Sequence, residues 1–244
     1  MKTKIKSVML VILIVSIGVI FSSCKKTDEQ NPAQPELPPS ESFILPMDGF
    51  LDKTENIAQK SYLWFGVSAI YVGVWNSIIG INLAVPIASF KEAIKHERIQ
   101  VNENLWRWSY DFTAISTVYK AELEASTEGD LVKWDMYISK TGNGSFSRFK
   151  WFTGISAPDG TGGYWIMYQS PTDNNEMYEI VWHKNYKIGT SDITYTNILN
   201  NDNNEDSYIN FTNNKANNYD AIYVIYESAE DKIIEIQWNS LATF

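Results

Sequence analysis

"LWRWSYDF", residues 105–112, decides the fold of this 244-residue chain. Trp106, Trp108, Tyr110 and Phe112 occupy every second position, and Arg107, Ser109 and Asp111 fall between them. A strand turns successive side chains to opposite faces, so this pattern predicts a β-strand with one aromatic face buried and one face in water. "YKAELEA" (119–125) sets Tyr119, Ala121, Leu123 and Ala125 against Lys120, Glu122 and Glu124. "VKWDMYI" (132–138) sets Val132, Trp134, Met136 and Ile138 against Lys133 and Asp135. The rhythm predicts about ten strands, starting near 105, 118, 131, 146, 163, 176, 192, 207, 220 and 232. Turn-rich stretches such as "TEGD", "KTGNG", "APDGTGG", "PTDNN" and "NNKANN" separate them.

Short links between successive strands imply an antiparallel meander. A meander of this width has two unpaired edges unless it curls, so a barrel or half-barrel is expected over 101–244. Aromatic content of 14%, with nine Trp and fourteen Tyr, fits a β-rich core. "WDMYIS" (134–139) and "WIMYQS" (165–170) share W-x-M-Y-x-S, a faint internal echo of one hairpin unit.

Upstream lies "YLWFGVSAIYVGVWNSIIGINLAVPIASF" (62–90), without one charged residue. As a helix, Tyr62–Val85 would measure about 36 Å, enough for a bilayer core of about 30 Å. Three features oppose a span. Asn76 and Asn82 would be costly against lipid. Gly73, Ser77, Gly80, Ala84 and Ala88 form a smooth stripe opposed to bulky Tyr71 and Trp75. Pro86 should break the helix near Leu83–Val85, with a second short helix over Ile87–Glu97. A helix apolar on all faces needs lipid or protein around it. The expectation is therefore a helical segment, 47–100, packed into the barrel, with Tyr62–Val85 in its mouth or lumen. Phe43–Asn56 alternates aromatic, aliphatic and acidic residues and admits two readings: it packs back on the body, or it opens a first helix near "DKTEN", capped by Asp52 or Thr54. In general shape this is similar to the helix-plugged half-barrels of lipoprotein carriers.

At the N-terminus Lys2, Lys4 and Lys6 precede an apolar stretch, Val8–Phe21, too short for a comfortable span. Small Ser22 and Ser23 follow, then Cys24, the sole cysteine. The residues "FSSC" (21–24) resemble the processing site of bacterial lipoproteins, with Phe21 in place of the usual Leu. The resemblance implies a signal peptide over 1–23, cleavage between Ser23 and Cys24, and acyl chains on Cys24. Lys25 after the cysteine implies outer-membrane delivery. "KKTDEQ" (25–30) resembles the charged tether of bacteroidete-type surface lipoproteins, and that resemblance implies a cell-envelope location exposed at the surface. "NPAQPELPPSESFILP" (31–46) holds five of the eight prolines and reads as a semi-rigid stalk ending the tether, 24–46.

The formal net charge of −9, with no basic stripe, argues against nucleic acid as a partner. One cysteine excludes an internal disulfide, and two histidines, His96 and His183, offer little for a metal. No cofactor, metal site or catalytic constellation is expected. "PDGTGG" (158–163) lacks the lysine and helix of a phosphate loop and reads as a hairpin loop. "NDNNED" (201–206) lacks the glycine and twelfth-position Glu of a calcium loop. Asp111, Glu122, Glu124, Asp135 and Glu179 are strand carboxylates expected to face water.

Tyr137, Tyr168 and one of Tyr223 or Tyr226 fall on second faces, where aromatic rings can stack on sugars or peptides. His183, in "EIVWHKN", could meet a ligand carboxylate. These five are the candidate ligand contacts. The expected function is a non-enzymatic, lipid-anchored module binding an unknown small molecule, glycan or protein. A carrier of hydrophobic molecules with 62–90 as plug, and an acid–base hydrolase of glycans, are the alternatives.

Overall fold

The computed structural model describes residues 34–46, 62–200, 202–214 and 219–239, with backbone alone for 62–67. The signal peptide, Cys24, "KKTDEQ", and the candidate caps Asp52 and Thr54 lie outside the described residues.

Eleven strands form one antiparallel sheet in sequence order. They are β1 (Ile99–Asn102), β2 (Leu105–Ala114), β3 (Thr117–Glu128), β4 (Leu131–Lys140), β5 (Phe146–Ser156), β6 (Gly162–Ser170), β7 (Asp173–Asn185), β8 (Thr190–Asn197), β9 (Tyr208–Asn214), β10 (Ala221–Glu227) and β11 (Lys232–Trp238). Each of the ten anticipated strands begins within three residues of its predicted position. The strand missed is β1, whose four residues are all exposed and so carry no alternation to read.

The sheet is not a barrel. β1 pairs with β2 alone and β11 with β10 alone, so the two edges never meet. Closure would need a full-length edge on both sides, and β1 offers four residues. The edges are blunted by shortness on one side and by Lys232 and Glu235 on the other.

One face of the sheet carries the core. A row of directly opposed residues crosses ten strands: Trp106, Ala125, Trp134, Gly154, Trp165, Ile180, Tyr195, Ile209, Ile225 and Ile234. Three indoles alternate with the two smallest side chains available. The slot at Gly154 is filled by its neighbour. A Cβ there would lie 2.3 Å from the Tyr164 carbonyl oxygen and 2.4 Å from the Trp165 ring. Large beside small is how facing layers reach crystal-like density without strain.

Two helices cover part of this face. Helix α1 is Tyr62–Asn82 and helix α2 is Ala84–Ala93, bent by 68° at a break on Leu83. Pro86 sits in the first turn of α2, where the missing N–H costs nothing. The second helix therefore begins three residues before the expected Ile87. Tyr110 of β2 donates its hydroxyl to the Ser89 carbonyl of α2 at 2.6 Å, and burial pushes that hydroxyl's pKa up. Tyr71 of α1 meets the Lys232 ammonium of β11.

No lumen forms around α1. Val72, Trp75 and Ile79, continued by Leu83, make one buried stripe. The opposite face is open, with Ile70 65% and Ile81 76% exposed. The expectation of a helix enclosed on all sides is corrected accordingly: an open sheet has only one face to offer. Among the described residues no single helix is long and apolar enough to cross a membrane.

The proline-rich stretch also departs from the expected free stalk. Over 34–46, Pro35, Pro38, Ser42, Phe43 and Leu45 are buried. A 3₁₀ turn, Ser40–Phe43, drives Phe43 into the core. Its ring stacks on Trp165 (centroids 4.5 Å) and touches Phe90 (4.6 Å) and Phe152 (4.9 Å). The Tyr195 hydroxyl donates to the Phe43 carbonyl, the Tyr223 hydroxyl to that of Pro46 at 3.1 Å, and Arg98 to Gln34 Oε1 at 2.7 Å. Extended proline-rich backbone has carbonyls to spare, and tyrosines of the sheet use them.

Two substitutions test this core by denaturant unfolding. Phe43→Ala is expected to cost about 3–5 kcal/mol, the value of a buried aromatic rather than of a stalk residue. Gly154→Ala is expected to cost about 1–3 kcal/mol through overpacking, although it raises local strand propensity.

Candidate functional site

The packed strap 39–46 spans one end of the core face and leaves a cleft beneath it. Period two and register build the floor. Trp182 of β7, Ile193 of β8 and Phe211 of β9 are mutual partners in one row. The next row outward is Lys184, Ser191, Asn213, Ala221 and Trp238. Pro39, Glu41, Ser42, Ile44 and Pro46 of the strap form the other wall. The volume is about 340 Å³, within the range of about 300–1,000 Å³ usual for small-molecule sites. Phe211, Tyr223 and Trp238 pack as a triangle with centroids 4.9 to 6.0 Å apart.

Two residues of these walls keep a polar atom buried inside the wall rather than exposed to the cleft. Ser42 is 1% exposed and Trp182 is 2% exposed. The Ser42 hydroxyl and the Trp182 indole N–H are both buried with no hydrogen-bond partner among the described residues. Leaving such a group unpaired costs about 1–3 kcal/mol. Trp106, Trp151 and Trp165 also bury an unpartnered indole N–H, but none of them lines this cleft.

His183 reaches the same cleft, as a rim residue. It opposes Asp192 across β7 and β8, and its Nδ1 lies 3.0 Å from the carboxylate, with the imidazole 63% exposed. The other candidates disperse. Of the pair Tyr223 and Tyr226, Tyr223 is the inward one, a core residue bonded to the strap. Tyr226 lies at the β10–β11 end, 5.6 Å from Tyr208, with its hydroxyl toward Asp231.

Tyr137 and Tyr168 lie on the outer face beside a charged strip. Arg148 sits 4.3 Å over the Tyr137 ring and Lys150 5.6 Å from it. Partial burial, then the Asp135 charge, holds the Tyr137 hydroxyl above its ordinary pKa. Partial burial, then Glu176, does the same at Tyr168. Glu124 accepts from Arg107 at 2.7 Å and Arg148 at 3.3 Å, and Arg148 also pairs with Glu122. Asp135 holds Lys150 at 2.9 Å and Thr153 at 2.8 Å. Glu124 and Asp135 oppose each other across β3 and β4, yet each carboxylate is committed to cations.

The two polar loops act as turns. Asp159 accepts from the backbone and hydroxyl of Thr161 at 3.0 and 2.6 Å, which holds its carboxyl below the usual range. Asp202 accepts from Asn197 at 2.7 Å. Among the described residues no group of three His, Cys, Asp or Glu is placed to hold a metal ion.

Sequence reasoning missed Ser42, Trp182 and Trp238. Trp182 adjoins His183, and the strap stands out in the sequence through "SFILP" (42–46), an apolar run inside a proline-rich stretch. His183→Ala is expected to change the unfolding free energy by less than about 1 kcal/mol, as for a solvent-exposed pair, measured by urea titration. Comparisons of the chain with protein families, with curated proteins and with solved structures yield no match, so function is argued from the site itself.

Proposed function

We propose that this chain is a lipid-anchored, non-enzymatic ligand-binding module of the cell envelope, with the cleft under the strap as its site. The observation that carries the reading is the 340 Å³ cleft between the strap and an apolar floor that includes Trp182, Ile193, Phe211 and Trp238. A few convergent polar groups in an apolar cavity are the usual chemistry of a binding site.

The lipoprotein-like "FSSC" supports the anchor, with acyl chains on Cys24 holding an acidic protein that charge would not hold. Packing of the strap shortens the tether. Only residues 25–33 separate the cysteine from Gln34, a contour of at most about 36 Å. The open sheet is read as a half-barrel, curled toward the strap by the twist that eleven strands accumulate.

The test uses the full chain expressed in a bacterial host. Wild type is expected in the membrane fraction carrying radiolabelled fatty acid, and Cys24→Ala in the soluble fraction without label. The solubilised protein is expected to bind one equivalent of an apolar, environment-sensitive dye and to lose tryptophan emission as it does so. Absence of saturable dye binding ends the ligand-binding reading, and an unlabelled wild type ends the anchor.

A further inference from the structure

The polar end of the cleft names a ligand class, an inference that rests on the cleft being a ligand site. We infer that it takes an amphipathic monoanion, an apolar body ending in one carboxylate, with the carboxylate seated on Lys184, Ser191 and Asn213. Strand register brings these three side chains together. Lys184 directly opposes Ser191, and Ser191 directly opposes Asn213. Opposed Cβ atoms on neighbouring strands lie about 4.5–5.5 Å apart. Ser191 is the middle member, so an oxygen above it is within reach of all three side chains. Each stands two residues along its strand from a buried floor residue, Trp182, Ile193 or Phe211, and so shares the face of the floor. All three line the cleft and all are half-buried.

The row is made of donors that the protein itself leaves unused. The Ser191 hydroxyl and the Asn213 carboxamide make no side-chain hydrogen bond among the described residues. The Lys184 ammonium lies 4.9 Å from the ring centroid of Tyr186, in the turn after β7, and meets no carboxylate among the described residues. The other charges of the lining are placed differently. His183 and Asp192 pair with each other at the rim at 3.0 Å, and Glu41, exposed on the strap, accepts from Ser40 at 3.3 Å. Lys184 is thus one cation awaiting one negative charge. Ammonium, hydroxyl and carboxamide all donate, and a carboxylate has two oxygens with about four lone-pair sites to receive them. Bonds of this charge-assisted kind are the strong ones. A ligand ammonium would meet Lys184 head on, and a neutral ligand would leave it without a counter-charge. The rest of the floor, Ile193, Phe211 and Trp238, is apolar and takes the body of the molecule. The net charge of −9 acts at long range and is screened over about 8 Å at physiological ionic strength, so the contact at Lys184 decides the affinity.

The experiment titrates the full chain with three probes of one shape: naphthoate, acetylnaphthalene and naphthylmethylammonium. Tryptophan emission and calorimetry read the affinity. Naphthoate is expected to bind about tenfold tighter than the neutral ketone, the worth of a hydrogen bond to a charged group, and the ammonium more weakly than either. Lys184→Gln is expected to erase the preference for naphthoate over the ketone, and Lys184→Arg to keep most of it. Ser191→Ala is expected to reduce the preference several-fold. Glu41→Gln removes the carboxylate of the opposite wall and is expected to tighten naphthoate binding. Should Lys184→Gln fail to fold, Ser191→Ala and the ranking of the three probes on the wild type decide. A ketone or an ammonium that binds as tightly as naphthoate, or a folded Lys184→Gln or Ser191→Ala variant that keeps the full preference, overturns the inference and leaves the cleft a ligand site. Saturable binding of none of the three overturns both the inference and the proposed function.

Discussion

Everything in this protein rests on the way indole rings are fitted into one face of the sheet. Trp106, Trp134 and Trp165 lie in a single cross-strand row, with Ala125 and Gly154 between them. Adjacent strands are about 4.8 Å apart, too close for indoles on consecutive strands to lie flat side by side. Alternation with small residues lets each ring lean over its neighbour's backbone. The Trp165 ring occupies the volume a Cβ on Gly154 would need. The Trp134 indole is anchored by a bond from its N–H to Ser156 at 2.9 Å. Register is thereby pinned, because a slip of one residue would turn every indole into water.

From that row the rest follows by contact. Trp165 presents a flat surface to Phe43, and Phe43 carries the strap with it. Phe90 brings α2 to the same ring at 5.7 Å. A sheet with one oily face and no closure must be covered by something, and here three separate pieces of the N-terminal half share the task. The cleft is what remains between the strap and the floor that β7 to β11 provide. Site and scaffold therefore have one origin: a cover made of short elements does not tile a broad sheet completely.

Much of the fold was legible in the sequence. Trp106, Trp108, Tyr110 and Phe112 alternate without exception, and hairpin links leave no ambiguity of strand order. Strand β1 was not legible because both its faces are wet. The site was hardly legible. His183 was singled out as a rare polar type, and it reached the rim. Ser42 carries no signal of its own, and its burial depends on Phe43 finding Trp165, a contact between residues far apart in the chain. Tyr223 and Tyr226 are three apart, and strand geometry puts them on opposite faces; sequence could say only that one of them would be outside.

By itself the sequence determined ten of the eleven strands, their order and the break near Pro86, because each depends on residues near in the chain. Only the tertiary structure decided that the sheet stays open, that α1 buries one stripe, and that a proline-rich strap folds into the core and roofs a cleft. Those outcomes turn on which apolar surfaces meet. Hydrophobic attraction is non-directional, so a sequence announces which surfaces need cover and leaves to three dimensions the choice of what covers them.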